Sequence, residues 1–263
     1  FRIGDEEQEL INVSVPWTID ALTCNARINI INFDMLGANE FLSYAFEKLA
    51  SSTTVISVRF ESITQDQHPS PESVDTFFST NASVKSFEMS GWRNVDSFPL
   101  HFAQAVKKNK TIREFKFDDC QSKQGVEEFS KALSERSRTT KSLVFSRSTA
   151  SSDSFTRFIE HASKCRGLKS LKIPKWGPVF KPPIEDALVS LLRNARSLRD
   201  LDMSGYMYSG QRPVVLSRAL LEALQQNDTI TCLDIVGGGV DSEIPPDYIA
   251  LLLDKNRTLK VLK

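Results

Sequence analysis

The sequence predicts an α/β solenoid in which short parallel strands alternate with helices. The main observation is a six-residue pattern, apolar-x-x-apolar-x-apolar, that recurs along the whole chain. From the second copy onward the spacings are 27, 29, 28, 28, 28, 30, 32 and 29 residues, a regularity that chance would not produce. The copies begin at Leu10, Ile28, Val55, Val84, Ile112, Thr140, Leu168, Leu198 and Ile230, and a shortened copy begins at Leu259.

Each unit divides into a strand and a helix. The six-residue pattern, whose first apolar residue we number position 1, alternates apolar and polar residues as a half-buried strand does. The second half has apolar residues three or four apart, which marks one face of a helix. Examples are HFAQAVKKNKT, EEFSKALSERSRT, DALVSLLRNARS and SRALLEALQQNDT. One such unit cannot bury its own apolar faces, so stacked copies are expected to share a continuous core.

These units resemble the long leucine-rich repeat of the ribonuclease-inhibitor type over roughly residues 10 to 263. The resemblance implies a right-handed arc with parallel strands on its concave face and helices on its convex face. There are departures from the family pattern, because Phe, Val, Ile and Met often replace Leu and Thr140 takes an apolar position. The Asn or Cys expected after the strand is met clearly only by Cys120.

We expect one continuous domain. Residues 1–27 form a capping half-repeat, and residues 28–263 form an array of about eight units with a truncated last strand. The chain begins with Phe and no signal-peptide pattern follows. Because it also ends on an open strand edge, we expect further protein beyond both ends.

Composition excludes several classes of partner. Lys plus Arg equals Asp plus Glu at 33 each, so no overall field favours nucleic acid or an anionic membrane. No apolar run approaches the length of a membrane span. Four distant cysteines without metal-ligand spacing indicate a reduced, cytoplasmic protein. The alternative is a protein that is secreted or delivered into a host cell.

The sequence contains no convincing catalytic, metal or cofactor site. VGGGVDS lacks the third glycine of a dinucleotide fingerprint, and Pro245 and Pro246 delay the helix that would meet a phosphate. His68, His101 and His161 have no partners at ligand spacing. We therefore expect no enzyme activity, no cofactor and no small-molecule substrate.

Four of the five Asn-x-Ser/Thr sequences occur at one place in the repeat. Asn lies three residues before position 1, and Ser or Thr lies one residue before it in seven units. Asn tolerates the left-handed conformation that ends helices, and hydroxyls satisfy turn backbone groups, so we interpret them as caps. Glycosylation at Asn81 or Asn109 of an extracellular receptor is the alternative. The Asn column comprises Asn25, Asn81, Asn109, Asn227 and Asn256.

Binding is expected on the strand face, because positions 3, 5 and 7 alternate away from the buried residues. The middle units contribute small side chains, and the last units contribute the acidic cluster Asp200, Asp202 and Asp234. The strand–helix connections of the late units are the longest and carry aromatic residues, which are frequent in interfaces. Covering the core is the alternative role of these aromatic residues. The candidate partner-binding residues are Arg59, Glu88, Lys116, Lys172, Trp176, Phe180, Asp200, Asp202, Tyr206, Tyr208 and Asp234.

Position 2 is basic in six units, at Lys85, Arg113, Lys141, Lys169, Arg199 and Lys260. This column is interpreted as a solvated edge near helix carboxyl ends, where the helix dipole favours cations. A strip for an acidic or phosphorylated partner is the alternative.

The sequence therefore predicts a non-catalytic protein–protein interaction scaffold whose partner is another protein, with a basic patch to suit the acidic cluster. One alternative is a regulatory or substrate-recognition module of a larger enzyme, such as a GTPase activator or a ubiquitin ligase. A GTPase activator needs a catalytic arginine on a defined loop, and no arginine is singled out. A further alternative is the repeat domain of a pathogen effector or an immune receptor.

Overall fold

The computed structural model describes residues 10–13, 28–34, 41–61, 69–91, 98–118, 123–136, 138–146, 152–173, 182–204, 215–235, 239–240, 247, 250 and 254–263. Strands and helices alternate along these segments. The strands are β1 (Leu10–Val13), β2 (Ile30–Asp34), β3 (Ser57–Glu61), β4 (Ser86–Ser90), β5 (Glu114–Asp118), β6 (Ser142–Ser146), β7 (Ser170–Lys172), β8 (Asp200–Asp202), β9 (Val215–Leu216), β10 (Cys232–Asp234), β11 (Gly239–Val240) and β12 (Val261–Leu262). The helices are α1 (Phe41–Ser51), α2 (Pro71–Thr80), α3 (Phe98–Lys108), α4 (Lys123–Glu135), α5 (Ser152–Lys164), α6 (Pro182–Asn194) and α7 (Arg218–Gln226).

Ten of the strands form one parallel sheet in the order β1-β2-β3-β4-β5-β6-β7-β8-β10-β12. Neighbouring strands pair at equivalent positions of successive units, as in Glu114 opposite Ser142 and Ser170 opposite Asp200. Successive helices pack against one another alongside the sheet. The predicted α/β solenoid, with a fold like that of leucine-rich repeats, is confirmed.

The first unit differs from its predicted alignment. Leu10 lies opposite Ile30, which is position 3 of the next unit, although the sequence pattern placed Leu10 at position 1. The alignment was wrong by two residues because LINVSV fits the apolar pattern in a register that strand pairing does not use.

The core lies between the sheet and the helices. Positions 1, 4 and 6 are buried, as shown by Val84, Phe87 and Met89, which are all 0% exposed. Phenylalanine rings form an unbroken chain of contacts from Phe33 to Phe158, through Phe60, Phe87, Phe102, Phe117 and Phe145. Among the described residues after Phe158, the buried core side chains are those of Leu, Ile, Ala and Met together with Cys165.

A buried asparagine joins successive units at the turn from helix to strand. The Asn81 amide nitrogen Nδ2 donates to the carbonyl oxygens of Leu49 (2.7 Å) and Ser52 (3.2 Å) of the preceding unit. Its Oδ1 accepts from the backbone N–H groups of Ser83 (3.1 Å) and Val84 (2.8 Å). One side chain therefore closes its own turn and satisfies the end of the neighbouring helix.

The same arrangement recurs at later turns. Asn227 donates to the carbonyl of Leu192, and Asn256 donates to that of Leu224, each at 2.6 Å. The predicted capping role is confirmed, but the predicted left-handed conformation is wrong, because φ is −65° at Asn81 and −79° at Asn227. An extended backbone is needed for Oδ1 to accept from the amides two and three residues onward, as in an Asx turn. Asn25 lies outside the described residues.

The hydroxyl column acts across units as well. Ser83, for example, donates to the carbonyl of Ser52 at 2.9 Å, 31 residues earlier in the chain. Equivalent bonds to the preceding unit are made by Thr111, Ser197, Thr229 and Thr258. Thr139 instead bonds the carbonyl of Arg136 within its own unit at 3.1 Å.

Three middle units close this turn without asparagine. Arg136, which is 7% exposed, donates to the carbonyl of Ile112 at 2.8 Å and stacks on the Phe115 ring. Burial lowers the pKa of Arg136 to about 10 and raises the pKa of the Cys165 thiol to about 12. The asparagine position, three residues before position 1, holds Ser137, Cys165 and Ala195 in these units and Ser52 in an earlier unit, and Arg136 lies one residue before it.

Candidate interaction surface

The candidate surface is the face of the ten-stranded sheet that points away from the helices, which we call the sheet face. Positions 3, 5 and 7 of β3, β4 and β6 are partly exposed on it, whereas positions 4 and 6 are buried. Because strands pair position to position, the position-5 side chains form one row across the sheet. The row is Asn32, Arg59, Glu88, Lys116, Val144, Lys172, Asp202 and Asp234.

Three predicted site residues, Arg59, Glu88 and Lys116, come together in this row. Lys116 Nζ lies 2.6 Å from Glu88 Oε1. Arg59 Nε lies 3.2 Å from the same oxygen, within ion-pair distance but without hydrogen-bond geometry. Arg59 Nη2 also lies 2.6 Å from Glu61 Oε1. We call Arg59, Glu61, Glu88 and Lys116 the first charge cluster, and its two cations balance its two carboxylates.

A second charge cluster consists of Lys172, Asp202, Asp234 and Lys263. Lys172 Nζ lies 2.5 Å from Asp202 Oδ2, and Lys263 Nζ lies 3.7 Å from Asp234 Oδ2. Asp202 and Asp234 are partners in strand register, and Asp200 is exposed at the start of β8. The predicted acidic cluster is therefore largely neutralised. Sequence reasoning missed this compensation, although Lys172 occupies position 5 of the unit before the one that contains Asp202.

The ionisation of Asp202 reflects both its burial and its partners. Burial by itself raises the pKa of Asp202, but hydrogen bonds from Lys172 and Ser204 outweigh it and lower the pKa below its ordinary 3.8. The backbone N–H of Ser204 donates to Asp202 Oδ1 at 2.9 Å. Asp202 is therefore a fixed anion at neutral pH, suited to complementarity rather than proton transfer.

A neutral strip separates the two charge clusters. It consists of Ser142, Val144 and Ser146 on β6 together with Ser170 on β7. Val144 lies between Lys116 and Lys172 in the position-5 row. A partner that crosses the sheet face would thus meet charge, a small neutral strip and charge again.

The predicted aromatic contributors Trp176, Phe180, Tyr206 and Tyr208 lie outside the described residues, so their placement stays a prediction. The connections that follow β8 and β10 do meet each other. Val215 pairs with Gly239 and Leu216 pairs with Val240 in a two-stranded parallel sheet. The connections that follow β8 and β10 are therefore joined to each other by a second, two-stranded sheet.

The described residues offer little other site chemistry. None of their His, Cys, Asp and Glu side chains form a group of three suited to a metal ion. His101 and His161 lie on separate helices, burial lowers the pKa of His161, and His68 lies outside the described residues. A groove of about 310 Å³ between α2 and α3 lies on the helical side, lined by Pro71, Glu72, Asp75, His101, Gln104 and Lys108.

The glycine-rich stretch does not match the phosphate-binding pattern either, since Gly239 belongs to β11. In the part of the chain that the structure describes, no helix combines the length and apolar character of a membrane span.

The basic side chains at position 2 lie where the strands begin. Lys85 Nζ donates to the carbonyl of Ala82 at 2.8 Å, and Lys141 Nζ donates to that of Arg138 at 3.0 Å. These contacts lie in the turns that follow helix carboxyl ends, which agrees with the interpretation of the column as a solvated edge where the helix dipole favours cations.

Comparison with known proteins places the chain in no family. No protein-family profile and no curated protein matches it. A chain in the crystal structure of the yeast Rad7 and Elc1 complex is similar at 13% sequence identity, over 94% of this chain and 77% of that chain, with a TM-score of 0.34. A likeness this distant carries no argument, so the fold rests on the sheet topology and the repeat.

Proposed function

We propose that the chain is a non-catalytic protein-recognition scaffold built from leucine-rich repeats of the ribonuclease-inhibitor-like type. Its protein partner binds across the sheet face and the strand–helix connections of the last units. The observation that carries this proposal is the position-5 row, in which two charge clusters flank a neutral strip on an open surface. Small molecules bind mostly in enclosed pockets, whereas an open patterned face suits a protein surface.

The size of the sheet face supports a role for the connections. Ten strands about 4.8 Å apart span roughly 43 Å, and positions 3 to 7 cover roughly 13 Å along each strand. Their product is about 560 Å², below the roughly 800 Å² that each partner contributes to a standard interface. The long connections after β7, β8 and β10 would supply the remainder, and there the sequence places Trp176 and Tyr206.

We also propose that the protein is cytoplasmic and that residues 1–27 cap the array of residues 28–263. Asn81 and Asn109 are 4% and 2% exposed, and both side-chain nitrogens are used inside the fold. A glycan at either site would remove these bonds. Passage through the secretory pathway should therefore give a chain that is unglycosylated at Asn81 and Asn109, or unfolded, and peptide mass mapping with circular dichroism would distinguish this from a folded chain glycosylated at these two sites.

The interaction surface can be tested by site-specific cross-linking. A photoreactive benzoylphenylalanine is placed at position 144 on the neutral strip, or at position 131 on the exposed side of α4 as the control. We expect some proteins to be cross-linked from position 144 and not from position 131. We expect this cross-linking to be lost in the variant Trp176→Ala/Tyr206→Ala/Asp202→Lys. Equal capture from both positions, or capture unaffected by the triple substitution, would overturn the proposal.

A further inference from the structure

Two rows of cations run across the sheet along the line where its parallel strands begin. We call these two rows the basic edge. The first row is the position-2 column Lys85, Arg113, Lys141, Lys169, Arg199 and Lys260. The second row lies two residues before position 1, in the turns, and consists of Lys110, Arg138, Arg166, Arg196 and Arg257. Each of these residues is exposed, or half-buried in the case of Lys85 and Lys141.

The backbone holds the first row at strand spacing. Arg113 N–H donates to the carbonyl of Lys85 at 2.7 Å, and Lys141 N–H donates to that of Arg113 at 2.7 Å. The line continues through Lys169 and Arg199 with bonds of 2.8 Å. Five consecutive strands therefore carry cations whose backbones are about 4.8 Å apart.

Within the described residues, the cations of the basic edge lack the close carboxylate partners that other cations have, and Lys85, Lys141 and Arg199 donate instead to backbone carbonyls. On the helical side Lys107 pairs with Glu135 at 3.0 Å, and Lys108 pairs with Asp75 at 2.6 Å. Among the described residues, the one carboxylate within 4 Å of the basic edge is Asp228, which lies 3.8 Å from Arg196 with both side chains more than 70% exposed. An exposed pair at that distance neutralises little charge.

Helix dipoles are too small to account for the basic edge. The four units whose strands are β5 to β8 place eight cations at it, two per unit from Lys110 to Arg199. The carboxyl ends of α3 to α6 contribute about −0.5 charge each, or about −2 together. Even with Asp228 counted in full, helix ends and ion pairs within 4 Å among the described residues leave about five of these eight charges without an opposite charge.

We propose that the basic edge is a second docking surface, and that its occupant is an acidic helical segment of a partner protein lying along the cation rows. From Lys85 to Arg199 the row covers four strand steps, or about 19 Å. Four helical turns with one carboxylate per turn cover about 22 Å, a mismatch that flexible Lys and Arg side chains absorb. In an extended segment with acidic residues at alternate positions, five carboxylates would span about 27 Å, so they would not stay in register with the five cations.

Two other anionic occupants fit less well. A nucleic-acid-binding domain is expected to be basic overall, whereas this chain has 33 cationic and 33 acidic side chains. A membrane surface would need several apolar anchors, whereas among the described residues Ile56 is the one exposed large apolar side chain in line with the position-2 column. Neither occupant explains a spacing close to one helical turn.

The test uses a labelled helical peptide of about five turns with one Glu per turn on one face, and an isomer of the same composition with its Glu residues spread around the helix. Affinity for the 263-residue chain is measured by fluorescence anisotropy at low and physiological salt. The row variant is Lys141→Glu/Lys169→Glu. Lys131→Glu/Arg218→Glu is the control, because it changes the net charge equally at exposed helical positions.

We expect the chain to prefer the one-faced peptide and the row variant to lose at least about tenfold in affinity, with the control within about twofold. The milder Lys141→Gln/Lys169→Gln is used if thermal unfolding shows that the Glu variant does not fold. Equal affinities of row and control variants would overturn the proposal. So would equal binding of both peptides, or tighter binding of an oligonucleotide or an anionic vesicle.

Discussion

The two halves of the repeat array share a backbone plan but have different cores. The half with strands β2 to β6 buries a continuous phenylalanine network from Phe33 to Phe158. The half with strands β7, β8 and β10 buries aliphatic residues such as Leu171, Leu201 and Leu233 at the same repeat position as Phe87. The repeat therefore fixes which positions are buried. The type of apolar side chain at those positions depends on the packing between neighbouring units.

The halves also differ in strand length. Strands β2 to β6 have five residues each, whereas β7, β8 and β10 have three. The units become longer at the same point, with spacings of 30 and 32 residues after three spacings of 28. The units with shorter strands thus have longer connections between strand and helix. The first half is the more regular support, and the second half is better suited to specific contacts.

The largest effect is expected from removing a central phenylalanine. Phe87 contacts the rings of Phe46, Phe60, Phe77, Phe78, Phe102 and Phe115. Phe87→Ala should lower the free energy of unfolding by about 3–5 kcal/mol, because it removes a buried ring and leaves a cavity. Phe87→Leu, which installs the residue of the aliphatic half, should cost less than about 2 kcal/mol. Urea unfolding measures the loss of stability in both variants. If the two losses are equal, leucine cannot replace phenylalanine at this position, and the core residues of the two halves are not interchangeable.

The next largest effect is expected at a turn that has asparagine. Asn81→Ala leaves the backbone amides of Ser83 and Val84 without their acceptor and removes one of the donors to the carbonyls of Leu49 and Ser52, so it should cost at least about 2 kcal/mol. Asn194→Ala is the control, since the exposed Asn194 amide bonds the Ser190 hydroxyl and no other described residue, and it should cost less than about 0.5 kcal/mol. A similar small loss for both variants would mean that turns with and without asparagine are equally stable.

A smaller effect concerns the second charge cluster. Lys172→Met removes the hydrogen bond and charge that lower the pKa of Asp202, so the pKa of Asp202 should rise. A carboxyl group with a lowered folded pKa stabilises the fold above its ordinary pKa of 3.8, and this contribution is lost as pH falls through the folded value. Stability of the wild type should therefore fall more than that of the variant below about pH 4. Carboxyl carbon shifts in a pH titration measure the change, and Lys131→Met should leave Asp202 unchanged.

The smallest effect is expected in the first charge cluster. The Glu88–Lys116 pair is short, but the Lys116 side chain is 44% exposed. A double-mutant cycle with Glu88→Ala and Lys116→Ala should give a coupling energy of no more than about 1 kcal/mol. A much larger coupling would mean that this cluster holds the sheet together, rather than presenting charge to a partner.

Sequence reasoning succeeded where a contact is local or strictly periodic. The buried positions, including Leu201 and Phe87, follow from apolar spacing alone, and the cap at Asn81 follows from its place before position 1. It failed for the conformation of Asn81, because the partner carbonyl of Leu49 belongs to the preceding unit. It also missed the pairing of Lys172 with Asp202, since cross-strand partners depend on register.

The sequence by itself determined the repeat length, the alternation of strand and helix, and the side of each strand that is buried. These properties arise from apolar periodicity within one unit, which local chain geometry converts directly into a buried face. Tertiary structure alone decided which charges neutralise one another on the sheet face and how the phenylalanine rings interlock. Each of these depends on distances between atoms about 28 residues apart in the chain, which only the stacking of complete units sets.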